Sequence, residues 1–294
     1  MGLAACSNGS PAGSDRAAPS AAGSPVTARP AASGATSAPP SPTTAASGPA
    51  TGRPDRARVA ARLAATLTRA ERGIRDPATP DRELPALGRA QQRAYRAVVR
   101  EPALLPKVLA LVPAGLRPVV RANVAAGIDL RKLSHPDRRL PSWRIVSPRP
   151  APELLAAYHD AEEALGVPWA YLAAINVVET RTGRIRGSSP AGARGPMQFL
   201  PSTWRLYGAG GDIGSVHDAI LAAARMLRAN GAPADMAGAL YAYNHSVLYV
   251  RAVTAYAELM RASPRAFLGY HQWQVYYGDT LLPEGYPTRR PSPG

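Results

Sequence analysis

After Val26 the chain carries no large apolar side chain until Val59, and almost every residue up to position 54 is Ala, Ser, Pro, Gly or Thr. Such a segment cannot bury enough surface to offset the entropy of ordering it, so residues 1–54 are expected to form a disordered tether. Whatever folds must do so in the remainder, roughly 240 residues, which is ample for a core. There the pattern changes at once. Val59, Leu63, Leu67 and Ile74 recur near the helical period with Arg between them, and Leu84, Leu87, Tyr95, Val98 and Val99 follow. Leu116, Val119, Val120, Val124, Ile128 and Leu130 make a further stripe, with Pro102, Pro106, Pro113 and Gly115 as punctuation.

Residues 55–140 therefore read as a helical accessory region of three or four helices, closed by a Pro-rich connector at 135–152. Regular pattern resumes in a second domain, 141–294. Gly166 stops one helix and Pro168 opens the next. Ser215 and Asp218 stand in capping-box spacing, Asn230-Gly231 ends that helix, and Asp235 and Ser246 can cap two more. No strand-like alternation of any length occurs, so the expected fold class is mostly α.

Lysine is found only at 107 and 132, so arginine supplies nearly all the basic charge behind the net +15. That balance suits an anionic partner, or reflects coding bias alone. No zinc-ligand spacing, basic zipper or helix pair with a clustered basic face points to nucleic acid. A single cysteine, Cys6, excludes an intramolecular disulfide and a thiolate metal site. Its setting, Leu-Ala-Ala-Cys before a polar stretch, resembles a bacterial lipoprotein cleavage site, although only five residues precede it. No run of 18 apolar residues is present to span a bilayer.

One carboxylate stands out. On a helix from 168 to about 181, Leu172, Ile175 and Glu179 fall on one face, and a loop rich in Gly and Ser follows. Partial burial raises a carboxyl pKa, which is what a general acid near neutral pH needs. The competing reading is a surface ion pair with Arg181 or Arg184. Two later blocks bear on this choice: Gly195-Pro196-Met197-Gln198-Phe199-Leu200-Pro201, and Ala242-Tyr243-Asn244.

Together with Glu179-Thr180, and in this order, these blocks resemble the three motifs of the lytic murein transglycosylases. Those enzymes have a goose-type-lysozyme-like helical catalytic domain, and the resemblance is to their type B branch in its actinobacterial form. It covers roughly 150–260. It implies that 141–294 is a lysozyme-like catalytic domain acting on peptidoglycan. Glu179 would protonate the β-1,4 glycosidic oxygen after N-acetylmuramic acid, then deprotonate the C6 hydroxyl that attacks C1, leaving a 1,6-anhydro end. Thr180, Met197, Gln198 and Phe199 would line the sugar subsites. Tyr243 and Asn244 would face the acid and hold the N-acetyl group. The place implied is extracytoplasmic, in the cell wall, either secreted or anchored through a lipidated Cys6.

The residues themselves offer no second catalytic carboxylate, since Asp218 reads as a cap and Asp212 lies in a Gly-rich turn. A single acid fits substrate-assisted chemistry, and equally a hydrolytic muramidase. Thr180 stands where many relatives have Ser, and His245 follows the Asn where the commoner branch has Ala. His245 is read as structural rather than as a base. No Asp-x-Asp-x-Asn-Gly loop is present, so neither metal nor cofactor is expected. Trp204, Trp273, Tyr276 and Tyr277 are expected either to pack the core or to extend a glycan cleft. A non-catalytic wall-binding protein is the alternative from another class.

Overall fold

The computed structural model describes residues 55–287. The expected tether, Cys6 and positions 288–294 lie outside the described residues. Eleven α-helices and four very short strands make up the rest, so the molecule is mostly α. The first four helices are α1 (Arg56–Arg75), α2 (Leu84–Arg100), α3 (Leu105–Leu111) and α4 (Arg117–Leu133). In α1 the buried positions Ala60, Ala64, Leu67, Ala70 and Ile74 follow the expected stripe. Prolines in the first turn of α2, α3 and α4 cost no hydrogen bond, because those N–H groups lack an intrahelical partner anyway.

Next come α5 (Ala151–Leu165), α6 (Trp169–Thr180), α7 (Pro201–Tyr207), α8 (Val216–Ala229), α9 (Met236–Tyr243), α10 (Val247–Ala262) and α11 (Ala266–His271). Their boundaries follow the local chemistry. Gly166 ends α5 in the left-handed conformation, φ 69°. Ser215, Asp235 and Ser246 each accept a backbone N–H at the start of α8, α9 and α10. The site-bearing helix, α6, is interior, as its apolar run suggests. Every residue from Ala170 to Thr180 is buried, so α6 has no solvent face and Glu179 shares a wholly interior helix.

Two antiparallel pairs go unseen in the sequence because they are too short to alternate. Strand β1 (Arg144–Ile145) pairs with β2 (Ile185–Arg186), Ile145 opposite Ile185. Strand β3 (Val275–Tyr277) pairs with β4 (Thr280–Leu282), Val275 opposite Leu282. Trp143, Ile145, Ile185, Val275 and Leu282 form a small second core beneath them.

The expected boundary at 140/141 is a change of composition and not a seam between cores. Residues from Arg56 onward belong to one compact unit. One apolar cluster joins Leu67, Val98 and Val124 to Leu172, Val253 and Phe267. Helix α4 lies along α10, where Arg251 grips Asp129 through two hydrogen bonds of 2.7 and 2.9 Å. Tyr270 Oη donates to Asn123 Oδ1 at 2.9 Å. Helix α2 meets α11 so closely that a Cβ at Gly88 would sit 2.7 Å from the Gly269 carbonyl oxygen. The accessory helices are thus one wall of the core that encloses α6.

Candidate active site

Glu179 lies in the last turn of α6 and is 1% exposed. Tyr249 Oη donates to its Oε1 at 2.8 Å, while Oε2 is buried with no hydrogen-bond partner. Burial pushes the carboxyl pKa up to about 8, against the opposing pull of the Tyr249 hydroxyl and the Arg181 cation. The helix C-terminus acts in the same direction as burial, because the dipole there disfavours a negative charge. At neutral pH the group keeps its proton. The surface ion-pair reading fails on geometry: Arg181 is buried and donates to the Val177 carbonyl, and Arg184 donates to the His271 carbonyl at 3.1 Å.

The end of α6 is held by an unusual backbone. Arg181, Thr182 and Gly183 have φ of 54°, 59° and 80°, three left-handed residues in a row. Thr182 N–H reaches back six residues to the Asn176 carbonyl at 3.0 Å, a wider closure than the six-to-one bond of a Schellman ending, which the Arg181 N–H makes to the same carbonyl. For Thr, a β-branched residue, that conformation is strained. Polar groups compensate nearby. Thr180 Oγ1 and Asn176 Nδ2 both donate to the Pro196 carbonyl, at 2.6 and 2.8 Å, and Gly183 N–H donates to Thr180 Oγ1. Tyr158 Oη closes the set by donating to Asn176 Oδ1 at 2.6 Å.

The 194–199 turn explains the composition of its block. Arg194 and Phe199 exchange backbone hydrogen bonds of 2.8 and 2.9 Å across it. Gly195 and Gln198 are left-handed, with φ of 73° and 54°. Only glycine suits the first position, since a Cβ there would lie 1.9 Å from the Ile213 carbonyl oxygen. Gln198 is held by its own side chain, which donates to the Gly195 carbonyl at 2.9 Å, and its Oε1 is buried without a partner. Tyr243 Oη donates to the Met197 carbonyl at 2.6 Å and stacks parallel to Tyr249, centroids 6.4 Å apart. Tyr243 therefore links the turn to the tyrosine that holds the acid.

Glu179, Thr180, Met197, Gln198, Phe199 and Tyr243 are brought together by these contacts, but they face inward. Thr180, Met197, Gln198, Phe199, Tyr243 and Asn244 are all buried. The cavity between Gln198, Phe199 and Tyr243 measures about 10 Å³, at most room for one water. Thr180 is committed to the loop backbone and acts as a positioning group. A groove of about 610 Å³ lies elsewhere, between Trp143, Tyr277, Tyr286 and the Ser188–Pro190 segment. Its size does not make it the chemical centre, since the acid in its lining, Asp137, is exposed.

Of the other candidates, Asp218 accepts the Asp212 N–H at 2.9 Å, and this bond holds its pKa below the usual carboxylate range; it ties the preceding loop to α8, while Ser215 is the cap. His245 is exposed and meets only the Tyr241 ring, 5.4 Å away, among aromatic contacts. Trp273 is core, edge-on to Tyr256 and Tyr270. Tyr276 lies under the Arg96 guanidinium, and Tyr277 accepts the Asp137 N–H. Trp204 packs edge-on against Phe199. Among the described residues no group of three or more His, Cys, Asp or Glu could hold a metal ion.

Sequence reasoning misses Tyr249 and Asn176, and it weighs Arg181 only as a surface partner of Glu179. Tyr249 reads as core because it lies on the apolar face of α10 with Val253, Tyr256 and Met260. A buried tyrosine hydroxyl needs a partner, and that requirement was the available signal. No protein-family model, curated protein or solved structure matches the chain.

Proposed function

We propose that the protein is a lytic murein transglycosylase that cleaves the β-1,4 bond between N-acetylmuramic acid and N-acetylglucosamine. The reading rests on the resemblance carried by Glu179-Thr180, Gly195–Pro201 and Ala242–Asn244. The observation that carries it furthest is the Glu179 carboxyl, a desolvated acid with a pKa of about 8. Such a group is mostly protonated at neutral pH, and its conjugate base is stronger than an ordinary carboxylate.

Both properties are needed. Oε2, which has no internal partner, gives its proton to the glycosidic oxygen as the bond to C1 breaks. The positive charge developing at C1 is shared with the neighbouring acetamide, which makes a second carboxylate unnecessary. No carboxylate is among the groups that shift Glu179, in keeping with one-acid chemistry. The Glu179 carboxylate then takes the C6 hydroxyl proton as that oxygen closes on C1, and the acid is regenerated. Tyr249 keeps the carboxyl in one rotamer through both transfers.

Exclusion of water favours the internal hydroxyl over hydrolysis, and a carboxyl that is 1% exposed offers water little access. A muramidase reading would need a water beside it. Entry of a glycan requires the residues that cover Glu179 to give way. The same reading assigns no cofactor and places the enzyme outside the cytoplasmic membrane, either secreted or anchored through a lipidated Cys6.

The test is digestion of purified peptidoglycan followed by mass analysis of the fragments. Anhydro ends, lighter than hydrolysed ends by one water, are expected from the wild type, and none from Glu179→Gln. Reducing ends would identify a muramidase, and absence of release would leave a wall-binding protein.

A further inference from the structure

The N-terminal helices, in which the sequence suggests no chemistry, reach the end of the acid-bearing helix through a continuous set of side chains. Glu71 on α1 is fully buried. It accepts hydrogen bonds from Arg75, from Tyr95 Oη and from Gln91 Nε2, the last at 3.0 Å. Gln91 is used at both ends, since its Oε1 accepts the Trp273 indole N–H at 2.9 Å. A carboxylate only accepts and an indole only donates, so the Gln91 amide is fixed in one orientation between them. Trp273 is wedged edge-on against Tyr256 and Tyr270, with centroids 5.8 and 4.9 Å away. The Arg181 guanidinium lies over its ring, 5.9 Å from the centroid. Arg181 is buried, left-handed, and tied to the Val177 carbonyl two residues before Glu179.

We propose that Glu71, Gln91 and Trp273 are positioning residues that hold the Arg181 guanidinium at the Val177 carbonyl, at the end of the helix that carries Glu179, so that α1 and α2 act on the acid through that cation. The proposal rests on the reading of Glu179 as a general acid, and it gives residues 55–140 a part in the chemistry.

The elements packed around α6 leave Arg181 as the charge that matters. Helix α10 presents Tyr249 and Tyr256, α5 presents Tyr158, and the buried positions of α8 are all apolar. Helix α11 presents Tyr270 and His271, and burial pushes the His271 imidazole toward its neutral form. Arg184 is turned away, toward the His271 carbonyl and Glu284. Only Arg181 acts on Glu179 as a full charge. A cation favours the carboxylate, so Arg181 pulls the Glu179 pKa down against burial. Loosening Arg181 must let that pKa rise.

The experiment uses the full chain, in three variants: Arg181→Gln, Trp273→Phe and Gln91→Met. Trp273→Phe keeps an aromatic ring near Arg181 but removes the indole N–H together with the five-membered part of the ring. Two readouts are followed: the alkaline limb of the rate on peptidoglycan, and the carbon-13 titration of the Glu179 carboxyl, assigned by its loss in Glu179→Gln. Arg181→Gln should move both upward by about 1 pH unit. Trp273→Phe and Gln91→Met should move them the same way by less, and Arg181→Lys should restore part of the shift. If the variants lower the melting temperature but leave the Glu179 titration in place, the residues are structural only and the proposal is overturned. If Glu179→Gln still cleaves peptidoglycan, the general-acid reading fails. The carboxyl titration still decides whether Arg181 governs Glu179.

Discussion

A carboxyl kept protonated by burial leaves a mark on stability as well as on rate. Glu179 has a folded pKa of about 8 against 4.5 for the free side chain. Between those values the unfolded chain has released a proton that the folded chain retains. The folded state binds more protons there, so stability falls as pH rises through that window. Glu179→Gln carries no charge at any pH. Its stability should match the wild type below about pH 4, and the gain should grow to on the order of 3–5 kcal/mol by pH 8. Urea midpoints at about pH 4, 6 and 8 measure this, and a gain that does not depend on pH contradicts it. An acid that is costly to keep and whose loss stabilises the fold is what a working group looks like, in contrast to a structural ion pair.

The turn between Arg194 and Phe199 is set by backbone, and its weak point is Gly195. Gly195→Ala meets both a left-handed φ and a carbonyl oxygen at 1.9 Å, and should destabilise by roughly 2–4 kcal/mol. Gly192→Ala meets the same φ penalty but open space, and should cost about 1 kcal/mol. Thermal melts of the two variants separate conformation from collision. Elements like this are only partly legible in a sequence. Caps are local chemistry, so Ser215, Asp235 and Ser246 fall where their side chains predict. The acid and its motif blocks are legible as residue types in order. The burial of α6 is legible too, since the run from Ala170 to Val178 is almost wholly apolar, whereas which elements cover it is not. Strands β1 to β4 leave no trace for a simpler reason, being shorter than one alternation.

The division of the chain into accessory and catalytic parts was read from composition, and the packing does not respect it. Helix α4 covers α10, and α2 braces α11 and the β3–β4 hairpin through Arg96, which donates to the Gly278 carbonyl at 2.7 Å. Removing α1 to α4 would bare the apolar side of that core. Residues 141–294 made alone should show no cooperative melt and should bind a hydrophobic dye, whereas residues 55–294 should melt in one transition. A cooperative melt of the shorter piece would show that the accessory helices are dispensable. Long-range packing of this kind is decided by shape complementarity among side chains far apart in the chain, which a linear pattern does not encode.

That bracing also fixes when the molecule can finish folding. Gln91, Gln92 and Arg96 each bond a partner 182 positions later in the chain. Helix α2 leaves the ribosome long before Trp273, Gln274 and Gly278 exist. Contacts of such separation slow folding, because the long loop must close before they bring any gain. A chain still in synthesis holds its first helices without their final partners, and stays loose enough to be threaded or handed on. Closure waits for the last residues to arrive.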